Sequence, residues 1–414
     1  MSKPRVLLSA YQCGPGLGSV SQIGFEWYSR LAKKLPVTLL THVRNRPALT
    51  QAGAPFAGAE IIYIDTEWFA KPLYGLASWL FPRSEHPVFL IASLDYYLYD
   101  WLALRTARRR VGEWDIVHQA TPVSPLASSQ LHRLGLPLVL GPWNGGLRSP
   151  KEYPEIMRAE AAWLYPIRAL GKLADKVLGA TRKAKLILTA TAATRAQIPA
   201  KYQDKCVAML ENGVDLNLFK AEPWPPAPAI GVPLRIVFVG RLLPVKGVAM
   251  LLEAVAKLPC SFRLTIVGSG AEEAALRQQA EALGLGETVE FTGALPLAEV
   301  AVRMAQAHVF CLPSVRESGG GVLLEAMAAA RPVVALAYGG PAEIVDDEVG
   351  RLLPSSGRGP VVAALAQTFT DIAKDPEAWR RRGLAGRARV EREFAWDAKI
   401  DTAIDLYQHC LESQ

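Results

Sequence analysis

The sequence predicts an α/β protein built from two doubly wound, parallel-sheet domains. Three observations lead there. The chain has 414 residues, more than one typical core holds and enough for two domains of roughly 200 residues each. Short strand-like apolar runs alternate with helical stretches along its whole length. The alternation also restarts after residues 221–233, where Pro223, Pro225, Pro226, Pro228 and Pro233 make a stiff, extended linker.

In the first half the strand-like runs are Arg5–Ala10, Val37–His42, Ile61–Asp65, Asp115–His118, Pro137–Leu140, Leu186–Ala190 and Val207–Leu210. In the second half they are Leu234–Val239, Arg263–Val267, Thr288–Phe291, Val309–Leu312, Val333–Leu336 and Arg351–Leu353. Most are continuously apolar, as strands of a parallel sheet covered on both faces must be. Ligands of such sheets sit at the carboxyl ends of the strands. The expected site is therefore a cleft between two facing sheets.

Composition is that of a globular protein, 50% hydrophobic and 21% charged. Met1 to Tyr11 reads as a few polar residues and then a strand, with no export leader pattern. No apolar run approaches the roughly 18 residues that span a bilayer. The five cysteines (Cys13, Cys206, Cys260, Cys311 and Cys410) form no CxxC pair and read as free thiols of a reducing cytosol. Net charge is +7, unevenly spread. Residues 1–220 carry 27 Lys and Arg against 16 Asp and Glu, and residues 221–414 carry 19 against 23. A basic first half suits an anionic partner, such as a phospholipid surface or a lipid-phosphate acceptor. It equally suits a solvated basic face.

The second half carries three motifs. Gly240-Arg241 ends a strand, and Lys246-Gly247 stands near the start of the next helix, so two cations meet a helix's positive end. An ordinary surface turn would look the same. After strand Val309–Leu312 come Glu317, Ser318 and the glycines Gly319, Gly320 and Gly321, then Glu325 in an apolar helix. Ser318 is expected to cap that helix. Three glycines weaken a first turn by about 1 kcal/mol each, but they expose bare amides to a ligand. A carboxylate among Val322, Leu323, Leu324 and Met327 needs hydrogen-bond donors, and a ribose diol offers two. A salt-bridged glutamate is the plain alternative. The third motif is Gly339-Gly340-Pro341 with Glu343, a glycine turn opening a helix.

In this order, with Gly268-Ser269-Gly270 between the first two, the motifs resemble glycosyltransferase family 4, the group 1 glycosyltransferases. The match covers most of residues 207–412, including Asn212 to Asp215 and Phe394 to Trp396. The resemblance implies the GT-B fold: residues 1–222 as an acceptor-binding domain, 223–395 as a nucleotide-sugar-binding domain, and a helix within 396–414 crossing back to the first. It implies sugar transfer with retention of anomeric configuration. Arg241 and Lys246 would bind the donor diphosphate, Glu325 the ribose, and Glu317 with the backbone of Ser318 to Gly320 the sugar. Gly240, Gly268 and Gly321 line the same site. Ser318-Gly319-Gly320 stands where many members have Gly-Phe-Gly, so the donor sugar does not carry over.

In the first half, Gly14, Gly16 and Gly18 form a glycine loop after the first strand. The intervening proline and the absence of an acidic residue ending Val37–His42 speak against a dinucleotide fingerprint. A subset of family 4 has a similar Ser-Ala-Tyr-x-Cys-x-Pro-Gly-x-Gly-Ser opening, which implies that Gly16 and Gly18 approach the donor. The glycine loop around Asn144 is expected to do likewise. His118 ends a strand where members carry a cleft histidine, which would position donor or acceptor, although a lone histidine is commonly structural. The expected catalytic set is thus His118, Arg241, Lys246 and Glu317.

Residues 67–110 interleave Trp68, Phe69, Tyr74, Trp79, Phe81, Phe89, Tyr96, Tyr97, Tyr99 and Trp101 with Lys71, Arg83, Arg105 and Arg108 to Arg110, and Trp163 to Lys185 adds Tyr165, Arg168, Lys172, Lys176, Arg182 and Lys183. This mixture suits a membrane interface, and it also suits plain helix packing. No nucleic-acid motif accompanies it. The leaving diphosphate must be neutralised. No Asp-x-Asp occurs, so Arg241, Lys246 and the glycine-opened helix are expected to act without metal or cofactor. The resemblance implies a UDP- or GDP-sugar as donor and a glycan or lipid-linked glycan as acceptor, and the expected place is the cytoplasm, at the inner membrane face if lipid is met. Rival readings are a nucleotide-sugar epimerase, a degenerate donor-binding subunit and, weakly, an NAD-dependent oxidoreductase, whose third glycine is missing after Gly270.

Overall fold

The computed structural model describes residues 3–56, 58–81, 91, 94–147, 151–154 and 165–412. Arg83, Phe89 and Trp163, and the side chains of Tyr165, Arg168 and Lys172, lie outside the described residues. The chain forms two compact units.

The first unit comprises Met1–Gly146, Ala161–Glu211 and Lys399–Gln414. Its sheet has seven parallel strands: β1 Val6–Ala10, β2 Val37–His42, β3 Glu60–Ile64, β4 Ile116–Thr121, β5 Leu138–Trp143, β6 Leu186–Thr189 and β7 Cys206–Ala208. They lie in the order β3-β2-β1-β4-β5-β6-β7. Every residue of β1, β2, β4, β5 and β6 is buried. That is why these segments are continuously apolar rather than alternating. One core cluster includes Tyr99, Trp114, Leu140, Trp143 and Ile187. The closing helix Trp396–Glu412 joins this unit from Lys399 onward. There Lys34 pairs with Asp401 at 2.5 Å and the Lys399 ammonium donates to the Leu210 carbonyl.

The second unit comprises Leu147–Glu160 and Asn212–Ala398. Its six parallel strands are β8 Leu234–Val239, β9 Phe262–Val267, β10 Val289–Gly293, β11 Val309–Leu312, β12 Val333–Leu336 and β13 Gly350–Leu353, in the order β10-β9-β8-β11-β12-β13. All thirteen strand-like runs are strands, with ends shifted by a few residues at most. The chain changes unit at Glu211–Asn212, ahead of the proline-rich stretch. That stretch is strapped to the second unit. Buried Arg331 donates to the carbonyls of Glu222 and Pro223 at 3.0 and 3.1 Å, and the His308 ring binds the Pro226 carbonyl at 2.9 Å. A proline segment offers carbonyls without competing N–H groups, so it suits a cation that must be buried.

All five cysteines are free thiols. Among the described residues no helix is long and apolar enough to cross a membrane.

Candidate functional site

The order of the second sheet places a switch point between β8 and β11. From β8 the chain continues outward through β9, and from β11 outward on the other side through β12. Loops leaving the carboxyl ends of two such strands open a crevice in which open α/β sheets bind ligands. Here those loops are Gly240–Gly247 and Pro313–Gly320.

The backbone joins these loops. The Val315 amide donates to the Val245 carbonyl at 2.9 Å. Gly247 has φ +68°, and a Cβ there would stand 2.2 Å from the Pro313 carbonyl oxygen. The close approach brings the Lys246 ammonium onto the Glu317 carboxylate, an ion pair whose side chains are 18% and 14% exposed. From the opposite side, the Gly340 amide donates to the Glu317 carbonyl at 2.9 Å. Gly339 has φ +72°, and a Cβ there would lie 2.1 Å from the same oxygen. Glycine is thus required twice, once on each flank of Glu317. The loop after β8 is in turn zipped to that after β9, through Gly240 N to Val267 O at 3.0 Å and Leu242 N to Ser269 O at 2.8 Å. Gly268 sits tightly against the Gly240 backbone.

The helix expected to begin beside Ser318 is Gly321–Ala328. Its N-cap is Gly320, left-handed at φ 63°, with no side-chain cap bond. The capping expectation for Ser318 is therefore corrected: the chain turns at a position serine would strain to occupy, and Ser318 lies exposed two residues earlier. The consequence is a bare helix mouth. Among the described residues, the amides of Gly319 and Gly320 donate to no protein group. Gly321 lies against the Asn212 side chain, a neighbour supplied by a turn far away in sequence.

Glu325 stands on the same helix among fully buried Leu323, Leu324, Ala326 and Met327. Its own side chain is only partly exposed. Burial raises its carboxyl group from the usual range to about 8. No hydrogen bond or ion pair reaches that carboxyl group among the described residues. It is a strong acceptor held in a recess with nothing to accept. Arg241 is exposed at the end of the neighbouring β8, and its guanidinium has no ion pair among the described residues. The second unit thus gathers Gly240, Arg241, Lys246, Gly268, Glu317, Ser318, Gly319, Gly320, Gly321 and Glu325 around the ends of β8, β9 and β11. Two cations, free amides and an open carboxyl group can take an anion on one side and hydroxyl donors on the other.

The first-unit candidates fare differently. Gly16 and Gly18 do lie in the loop after β1, with φ +74° and +103° and open space around them. His118 is fully buried inside β4. Its Nε2 meets the Gly141 carbonyl at 2.6 Å, so that nitrogen carries the proton, and its Nδ1 accepts from the Tyr407 hydroxyl at 2.6 Å. Trp27 packs edge-on against the ring. Burial lowers its pKa to about 4. The expectation that His118 touches donor or acceptor is corrected: both ring nitrogens are spent inside the core. Asn144 is also buried, and its amide donates to Glu211 at 2.5 Å. That bond engages one side of the amide, and its Oδ1 accepts from no protein group among the described residues. Sequence reading missed that buried cluster. Lys399 lies beside Glu211, and burial lowers the lysine's pKa against the carboxylate's pull. Nothing local in the sequence marks these residues as neighbours.

Comparison with known proteins adds independent findings. The family model described as "Glycosyl transferases group 1" matches residues 226–389, the stretch that carries every second-unit site residue. The chain is 31% identical over 325 residues to the D-inositol 3-phosphate glycosyltransferase of Frankia alni, covering 72% of this chain and 75% of that protein. It is 30% identical over 443 residues to the Streptomyces griseus enzyme of the same name, covering 96% and 86%. The crystal structure of Anabaena Alr3699/HepE in complex with UDP and glucose superposes with a TM-score of 0.62 at 19% identity, over 98% of this chain and 100% of that one, which shows a shared GT-B fold. The chain belongs to the group 1 glycosyltransferases.

Proposed function

We propose that the protein transfers a hexose from a UDP- or GDP-sugar to a glycan or lipid-linked acceptor, with retention and without metal. The work would be done in the cytoplasm, at the inner face of a membrane, in polysaccharide or glycolipid assembly. The observation that carries the reading is the partnerless Glu325 carboxyl group on the helix whose mouth presents the bare amides of Gly319 and Gly320. Ribose hydroxyls would donate to Glu325. The diphosphate would lie between those amides, Arg241 and Lys246, which supply positive charge where negative charge develops on the leaving phosphate. Glu317, held in place by Gly339 and Gly340, would accept from sugar hydroxyls. The departing phosphate would take the acceptor's proton on the same face. The UDP in the HepE complex and the sugar transfer named for the Frankia relative support this reading.

The test is a thermal-shift screen of UDP- and GDP-sugars followed by transfer assays. A donor at about 100 times its Kd adds roughly 2.7 kcal/mol to stability. Stabilisation by one nucleotide class, lost in Glu325→Ala, and turnover that survives a chelator are expected. Strict dependence on a divalent metal would refute the phosphate assignment. Release of free sugar without acceptor would point to the epimerase chemistry instead.

A further inference from the structure

The helix Glu67–Leu80 is turned inside out. Of its 14 residues only Ala77 is buried, while Trp68 is 67% and Trp79 75% exposed. Tyr74, Leu76 and Leu80 are each at least half exposed. At about 100° per residue, Trp68, Pro72 and Trp79 fall close to one line, opposite Ala77, with the two indoles about 16 Å apart along the axis. Leu76 and Leu80 flank that line on one side and exposed Lys71 on the other. Soluble proteins rarely leave such a stripe facing water unless something covers it.

The helix is also anchored at its root. The Thr66 hydroxyl donates to buried Asp95, and so does the Tyr11 hydroxyl, at 2.7 Å. Arg44 bonds Asp95 at 2.9 Å and Glu67 at 3.0 Å. The residue before the helix and the residue that opens the helix Asp95–Ala107 are thereby tied to the ends of β1 and β2. The stripe is presented by a fixed base.

Charge selects the occupant. Glu67 is the helix's one acidic residue, and it is engaged by Arg44. Lys71 is 77% exposed and lies 3.7 Å from the Glu67 carboxylate one turn away. Residues 1–220 carry an excess of 11 positive charges, among them exposed Arg105, Arg108 and Arg109 on and after the helix Asp95–Ala107. A second copy docked through the same face would oppose one basic half to another. An anionic surface would neutralise them instead, and indole and phenol rings favour the headgroup layer. We infer that the solvent-facing side of the helix Glu67–Leu80 docks in the headgroup layer of an anionic bilayer, with Trp68 and Trp79 as anchors. This rests on the membrane part of the proposed function and not on the donor site.

The test is flotation of the full chain with vesicles of phosphatidylcholine alone or mixed with phosphatidylglycerol, beside nucleotide-sugar stabilisation of the same samples. The wild type should float with the mixed vesicles and lose them at high salt. Trp68→Ser/Trp79→Ser should bind them on the order of tenfold less, Trp68→Phe/Trp79→Phe should retain most binding, and all three should keep the same donor response. Equal binding by wild type and the serine variant, binding to neither vesicle, or a dimer that the serine variant abolishes would each overturn the inference. Loss of the donor response in the wild type would instead sink the transferase reading and leave vesicle binding to be judged alone.

Discussion

The Lys246 ammonium is paired with the Glu317 carboxylate across the junction of two strand-end loops. The contact fixes a cation beside a carboxylate at the switch point of the second sheet. Each partner is mostly shielded, so removing one leaves the other unbalanced in a low-dielectric place. Lys246→Ala should lower kcat/KM by about 10²–10³. A double-mutant cycle with Glu317→Gln should give a stability coupling of roughly 0.5–3 kcal/mol. Additive behaviour in urea melts would mean the pair does not form in solution.

Glu325 makes stability and binding depend on pH in opposite senses. Its folded pKa is raised to about 8 by burial, above the ordinary value near 4.3. The folded state therefore holds a proton that the unfolded chain has released. Stability from this group is fully present below about pH 4, falls as pH rises toward 8, and stays low above it. Glu325→Gln should flatten that slope and raise the donor-free Tm at pH 8.5 by roughly 2–4 °C or more. If ribose ligates the ionised form, nucleotide binding at pH 6.5 should release a proton. Calorimetry in buffers of different ionisation enthalpy reads this directly, and no buffer dependence would contradict the ribose role.

Gly339→Ala should cripple the site from behind. The new methyl would need φ +72° and would lie 2.1 Å from the Glu317 carbonyl. A loss of about 1–3 kcal/mol in stability and a larger loss of donor affinity are expected. Gly286→Ala, in a turn where nothing lies within 4 Å, is the control and should leave both unchanged. Equal melting curves for the two variants would show that the turn can move.

His118 should behave as a core residue. Tyr407→Phe strips the hydroxyl that donates to its Nδ1 and leaves that nitrogen buried without a donor, at a cost of about 1–3 kcal/mol. Because burial lowers the His118 pKa to about 4, its contribution is present above about pH 6.5 and is lost as pH falls toward 4. Turnover per folded molecule should not change. A fall in kcat without a fall in stability would return His118 to the catalytic set.

Much of this was legible in the sequence because parallel strands advertise themselves. The runs Val37–His42, Leu234–Val239, Val309–Leu312 and Val333–Leu336 coincide with the strands, since each is dominated by buried apolar residues even where Thr38, Thr41 or Arg235 interrupts it. The second-unit site was legible for a related reason: Arg241, Lys246, Glu317 and Gly339 each follow a strand, and sheet order gathers strand ends. The first-unit site was not. His118 and Asn144 sit at plausible strand ends, but whether a side chain points outward or into the core depends on Tyr407 and Glu211, which are remote in sequence. Ser318 shows the limit at shorter range. A serine before glycines suggests a cap, yet the left-handed turn at Gly320 moves the helix start past it.

The central claim is that a nucleoside diphosphate lodges at the mouth of the helix Gly321–Ala328. A crystal structure of the chain with UDP or GDP tests it most directly. The account predicts phosphate oxygens within hydrogen-bond reach of Lys246, Arg241 and the Gly319 and Gly320 amides, with the ribose diol on Glu325. A nucleotide bound elsewhere, with the Glu325 carboxyl group still unpartnered, would contradict it.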